Sequence, residues 1–174
     1  MTDRPANGIP DGAVAQLRAA ALKERVYIAF TSLAVVIALR AHGDAVSTAA
    51  ACVTLLVTVG GAVLAVFLAD LLAHVTVHAD LPSRRRLRHM VTGSFGALVV
   101  AVPPLICLAL AAIGVWTTAT ALICAMLVHL VGLAAIGYMA VRRLHLPVRQ
   151  KLLVLTAEAL LGLAVIALGL WAHA

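Results

Sequence analysis

The chain has 174 residues, of which 64% are hydrophobic and only 11% charged, and its mean hydropathy is +1.09. A soluble domain runs about 45–50% apolar and about 25% charged. The composition therefore excludes a soluble globular protein, and it leaves no length for a water-soluble catalytic domain. The formal charge of +6 sits in basic blocks between apolar runs, with no basic domain interleaved with aromatics. That excludes nucleic-acid binding and makes the bilayer and its anionic headgroups the expected contacts.

Residues 1–12 carry two Pro and two Gly and read as an irregular tail. Residues 13–25 oppose Leu17 and Leu22 to Arg18, Lys23, Glu24 and Arg25, the pattern of a short amphipathic helix on the inner membrane surface. Span 1, about 26–41, has a short apolar centre in which Thr31 and Ser32 are the polar residues. A cleaved signal peptide is the rival reading of this region, and retention is the expectation. Span 2, about 46–78, is the longest run and contains Gly60-Gly61. A basic cluster of Arg84, Arg85, Arg86 and Arg88 follows and is expected to be a solvated loop in contact with lipid headgroups.

Span 3, about 90–113, contains Pro103 and Pro104. Two consecutive prolines remove two backbone donors, so a helix break is expected there. Span 4, about 117–141, holds His129 and Tyr138, and span 5, about 151–172, holds Glu158, Gly162 and Gly169. Cys52, Cys107 and Cys124 all lie in apolar runs without a CxxC pair, so no disulfide framework or zinc knuckle is implied. The fold expected is an all-α bundle of five transmembrane helices, residues 26–174, preceded by the 1–25 segment.

Sidedness follows from the arginines and lysines. With five spans, the N-terminal segment, the span 2–3 connection and the span 4–5 connection hold twelve of the thirteen basic residues, leaving Arg40 on the other side. The positive-inside rule then puts the N-terminus in and the C-terminus out, with the bacterial inner membrane as the expected location.

Asp70, His74, His78, His129 and Glu158 are the ionisable residues placed at membrane depth, His78 close enough to the surface to be solvated. Asp70, His74 and His78 are spaced four and four, so they share a helix face. A rise of about 1.5 Å per residue puts Asp70 about 15 Å and Glu158 about 12 Å from the inner surface, nearly the same level. A charge at the bilayer centre costs about 2.5–3.5 kcal/mol on insertion scales, so both acids should face the bundle interior. Gly162 and Gly169 continue the Glu158 face at helical spacing, as a helix-packing stripe would. Three uses compete for these groups. They can line a proton or cation route together with Thr31 and Ser32, Asp70 and His74 can chelate a divalent metal, or they can hold the bundle together. No HExxH, GxSxG, Walker or paired-carboxylate motif is present, so an enzyme is not expected.

The span count and orientation, the span 2 exit ADLLAHVTVHADL and the span 3 segment GALVVAVPPLICLAL resemble the vacuolar iron transporter family. The layout is also similar to small five-span bacterial membrane proteins. The iron transporter resemblance implies a homodimer exchanging divalent metal for protons, and it carries over Asp70 alone as an ion-contacting acid. The family's Asp-Gly in span 1 has AFTS in its place, and its glutamate-rich segment after span 2 is a short arginine block here. The function expected is a homo-oligomeric proton or cation transporter or channel without a resident cofactor, a divalent metal entering only as substrate. The alternative is a structural or accessory membrane subunit assembled through small-residue faces.

Overall fold

The computed structural model describes residues 11–42, 46–142 and 147–171, with the backbone alone for 11–18 and 170. The expected tail at 1–10 lies outside the described residues, as do Arg4, Asp44 and Arg143 of the charge pattern. The described chain is helical, without a strand. The elements are α1 (Asp11–Ala41), α2 (Thr48–His78), α3 (Arg84–Gly96), a 3₁₀ segment (Ala97–Ala101), α4 (Val102–Ala112), α5 (Thr118–Arg142) and α6 (Val148–Trp171).

Four stretches are long and apolar enough to cross a membrane: Thr48–His78, Arg84–Ala112, Thr118–Arg142 and Val148–Gly169. The expected fifth, in α1, does not qualify by this measure. Arg25 and Arg40 bracket its apolar stretch and leave it shorter than the roughly 17–25 residues a span needs. Yet α1 is the centre of the bundle. Ile28, Ala29, Ser32, Leu33 and Val36 are all fully buried, and α1 packs against α2, α3, the 3₁₀ segment, α5 and α6. In α6, by contrast, only 6% of the apolar window is buried. The outward faces of α2, α5 and α6 expose large apolar side chains such as Val57, Val131 and Leu163, as a bundle solvated by lipid does.

The helix ends fix the relative directions. Thr48 and Thr118 share a hydroxyl–hydroxyl hydrogen bond of 2.6 Å, which pairs the starts of α2 and α5. Glu158 packs on Gly137 and Gly162 on Leu130, so α5 and α6 form an antiparallel hairpin. Gly169 packs on Ile37, which sets the late part of α6 beside the late part of α1. Arg40 is then the one Lys or Arg among the described residues at its end of the bundle.

One expectation changes in the structure. The arginine block is not a loop but the opening of α3. Ser83 caps it by accepting from the Arg86 N–H at 3.4 Å, and such a cap satisfies an otherwise orphaned helix donor. The 13–25 segment is continuous with the 26–41 stretch. It is the first part of α1, and its Ala21 and Glu24 turn toward α2 and α3.

The proline pair interrupts the third span as expected, and the structure shows how the backbone accommodates it. An α-helix would need the Pro103 nitrogen to donate to the Val99 carbonyl, and proline cannot. The chain tightens to 3₁₀ geometry just before, and the Val102 N–H takes the Val99 carbonyl instead. Pro103 and Pro104 then open α4, at positions where a donor is not required.

Candidate functional site

A cavity of about 590 Å³ lies between α1, α2 and α3, at the basic end of the bundle. Glu24, Asp70 and His74 line it, and Arg86, His78 and His89 surround its rim. Helical spacing builds it. Glu24, Ile28 and Ser32 succeed one another at four-residue intervals on the buried face of α1, which places Glu24 one turn beyond the apolar core. Gly93 on α3 brings bare backbone to the same spot, where an added Cβ would lie 3.6 Å from Glu24 Oε2.

Glu24 is 8% exposed, and its carboxyl lies beside Asp70 and Ser94. Neither Glu24 Oε2 nor Ser94 Oγ completes a hydrogen bond, and neither does His74 Nδ1. These three are the buried side-chain polar atoms without a partner among the described residues, and they surround one place. Carboxylate oxygens are acceptors only, so Glu24 and Asp70 cannot bond each other unless a proton, water or cation lies between them. Buried polar groups are satisfied in the great majority of cases, and an exception marks a role or a guest. His74 stacks on His78 with ring centroids 4.4 Å apart, so that face of α2 continues from Asp70 to the rim.

A second polar element lies deeper. His129 is 3% exposed, and Ser32 is fully buried. The His129 Nδ1–H donates to the Ala125 carbonyl at 2.9 Å, and the 2.7 Å contact between Nε2 and Ser32 Oγ is then a hydroxyl donating to the ring. Ile28 and Ala29, both fully buried, occupy the stretch of α1 between this pair and Glu24.

The sequence-derived candidates therefore separate into three places. Asp70 and His74 join Glu24 in the cavity at the basic end, and His129 joins Ser32 in the core. Thr31 turns away from both, and its hydroxyl donates to the Tyr27 carbonyl of its own helix at 2.9 Å. Glu158 does not meet Asp70 despite their similar depth. It lines a separate groove of about 540 Å³ between α5 and α6, with its carboxyl seated against Gly137.

No family model, curated protein or solved structure matches the chain. No cluster of three or more His, Cys, Asp or Glu that could hold a metal ion occurs among the described residues. Arg84, Arg85, Arg86 and Arg88 are exposed on the first turns of α3, where they crowd cations onto the positive end of a helix dipole. That arrangement favours anions around them, and lipid phosphates supply such charge. Glu24 is the site residue the sequence reading did not single out. Its signal was the four-residue step to Ile28 and Ser32, masked by Lys23 and Arg25 on either side.

Proposed function

We propose that this protein is a five-span membrane protein that passes a proton or small cation, with Glu24 and Asp70 as the inner acceptor pair. The structure supplies a multi-helix membrane architecture, and the observation that carries the functional reading is the Glu24–Asp70–Ser94 cluster. Glu24 and Asp70 share one cavity there, and Glu24 Oε2 and Ser94 Oγ lack hydrogen-bond partners, at the basic end of the bundle. Intramembrane acids that face a bundle interior and a cavity mark ion and proton routes. The Arg86 and His89 rim disfavours accumulation of divalent metal, whereas a proton reaches the acids through water in the cavity.

The His129–Ser32 pair is the next polar stop along α1. The apolar layer around Ile28 separates it from the cavity, so the arrangement corresponds to a state open to the basic end and closed beyond. In this reading α1 is the fifth span. Four lipid-facing helices shield it, so it can cross with a short apolar stretch and place Glu24 inside. The positive-inside rule then assigns the basic end to the cytoplasm.

The reading is tested in proteoliposomes with an internal pH dye and an imposed pH or potassium gradient. Wild-type protein should dissipate the gradient. Glu24→Gln or Asp70→Asn should slow this at least tenfold while leaving the elution profile of the folded protein unchanged. A wild type without flux, or both variants conducting normally, rejects the route. Loss of folding in both, with no flux in the wild type, favours a structural role for the acids.

A further inference from the structure

We propose that the groove between α5 and α6 is a binding site for lipophilic monovalent cations, amines or onium ions with bulky apolar substituents, with Glu158 as the counter-charge. The groove measures about 540 Å³ and is walled by Leu130, Leu133, Leu155, Leu163 and Ile166, while Tyr138 and Glu158 are its only polar side chains. Its size falls in the range of about 300–1,000 Å³ typical of small-molecule sites. It faces outward, since Tyr138 is 56% and Leu163 62% exposed, so a guest enters from the lipid and not from water.

The seat of the carboxyl is built in. Gly137 lacks the Cβ that would occupy the position of the Glu158 carboxyl group, so the acid lies against the α5 backbone at the groove. Counting from Val148, Glu158 is about 15 Å along α6, well inside the apolar stretch.

Charge and hydration select the guest. Calcium needs six to eight oxygen ligands and magnesium a near-ideal octahedron, whereas this groove offers one carboxyl group. A large organic cation loses little hydration, buries its substituents on the leucine walls and meets the Tyr138 ring as a cation–π partner. An acyl chain would leave Glu158 without a counter-charge. A second copy of this chain is a poor source of one, because its described Lys and Arg residues gather at the two ends of the bundle, Lys23 and Arg25 with the arginines of α3 at one and Arg40 at the other.

The test is equilibrium dialysis of tetraphenylphosphonium against the purified full chain in detergent, with circular dichroism and elution volume as controls for folding. Wild-type protein should bind the ion saturably. Glu158→Gln should weaken binding at least tenfold, and Gly137→Ala, which displaces the carboxyl, should do the same. Asp70→Asn should leave it within twofold. Should Glu158→Gln fail to fold, Gly137→Ala and the groove-filling Leu163→Trp decide. Absence of saturable binding overturns the proposal. So does equal binding by folded Glu158→Gln, or a loss in Asp70→Asn matching that in Glu158→Gln, which would place the ion in the inner cavity. A shift of oligomeric state in Glu158→Gln without ion binding by the wild type overturns it in favour of a subunit interface.

Discussion

The hydrogen bond between Ser32 and His129 creates an unequal dependence between its two partners. His129 Nδ1 is committed to the Ala125 carbonyl, so Nε2 has Ser32 as its one donor. Ser32→Ala strands that acceptor in a fully buried place, and a stranded buried acceptor costs about 1–3 kcal/mol. His129→Leu fills a similar space with apolar atoms, and the Ser32 hydroxyl can then bond back to the carbonyl one turn earlier on its own helix. Thermal or denaturant unfolding in detergent should show Ser32→Ala as the larger loss, although the residue altered is the smaller of the two. Equal losses would mean that Ser32 does not serve the ring. The inner cavity gives a second residue-scale prediction. Gly93→Ala places a methyl group 3.6 Å from Glu24 Oε2, an ordinary contact, so flux should stay within threefold of wild type. Gly93→Leu fills the space beside the acid pair and should cut flux at least tenfold in the same assay. Both variants leave every carboxyl in place, which separates blocking of the cavity from loss of its chemistry.

Among the elements, the glycines of α2 and α6 look alike in sequence and differ in packing. Gly61 has nothing within 4 Å of an added Cβ, whereas one at Gly169 would run into the Ile37 side chain. Ile37 is β-branched and 5% exposed, so it has little freedom to move aside. Gly61→Ala should stabilise α2 by up to about 0.5–1 kcal/mol through helix propensity, while Gly169→Ala should destabilise the fold by separating α6 from α1. Unfolding midpoints in detergent check both signs, and a stabilising Gly169→Ala would contradict the packing. The packing stripe of α6 was legible beforehand, because Glu158, Gly162 and Gly169 fall on one helical face. The role of Gly60-Gly61 was not, because spacing cannot say whether a neighbouring helix is there to use it. The proline break was equally legible, since two missing donors must interrupt an α-helix wherever it packs. Its 3₁₀ resolution was not, because it depends on which nearby N–H can turn to the stranded carbonyl. The helical start at Arg84 turned on a Ser83 cap that the three consecutive arginines after it obscured.

At the scale of the whole molecule, apolar length alone separates four spanning helices from the polar connections between them, and the remaining question is α1. Arg25 and Arg40 cut its apolar stretch short, yet its residues are among the most buried of the bundle. The same burial hid Glu24, which reads as a surface charge beside Lys23 and Arg25 until α2 and α3 are placed over it. Asp70 and Glu158 show the converse limit: depth along two helices can be counted from sequence, but the direction each side chain faces comes only from how the helices pack. The topology of α1 has a direct test. In a variant with Cys52, Cys107 and Cys124 replaced by alanine, single cysteines are introduced at the exposed positions Ala19, Ser47, Ser83, Thr117 and Gln150. A membrane-impermeant maleimide is then applied to right-side-out and to inverted vesicles. If α1 crosses, Ala19, Ser83 and Gln150 should label from one face and Ser47 and Thr117 from the other. If α1 instead folds back without crossing, Ala19 should label together with Ser47. That outcome would leave Glu24 outside any transmembrane route, because the acid pair would then sit in a cavity with no spanning helix behind it. The pattern of Ala19 against Ser47 therefore decides the span count and, with it, whether Glu24 and Asp70 can begin a path across the membrane.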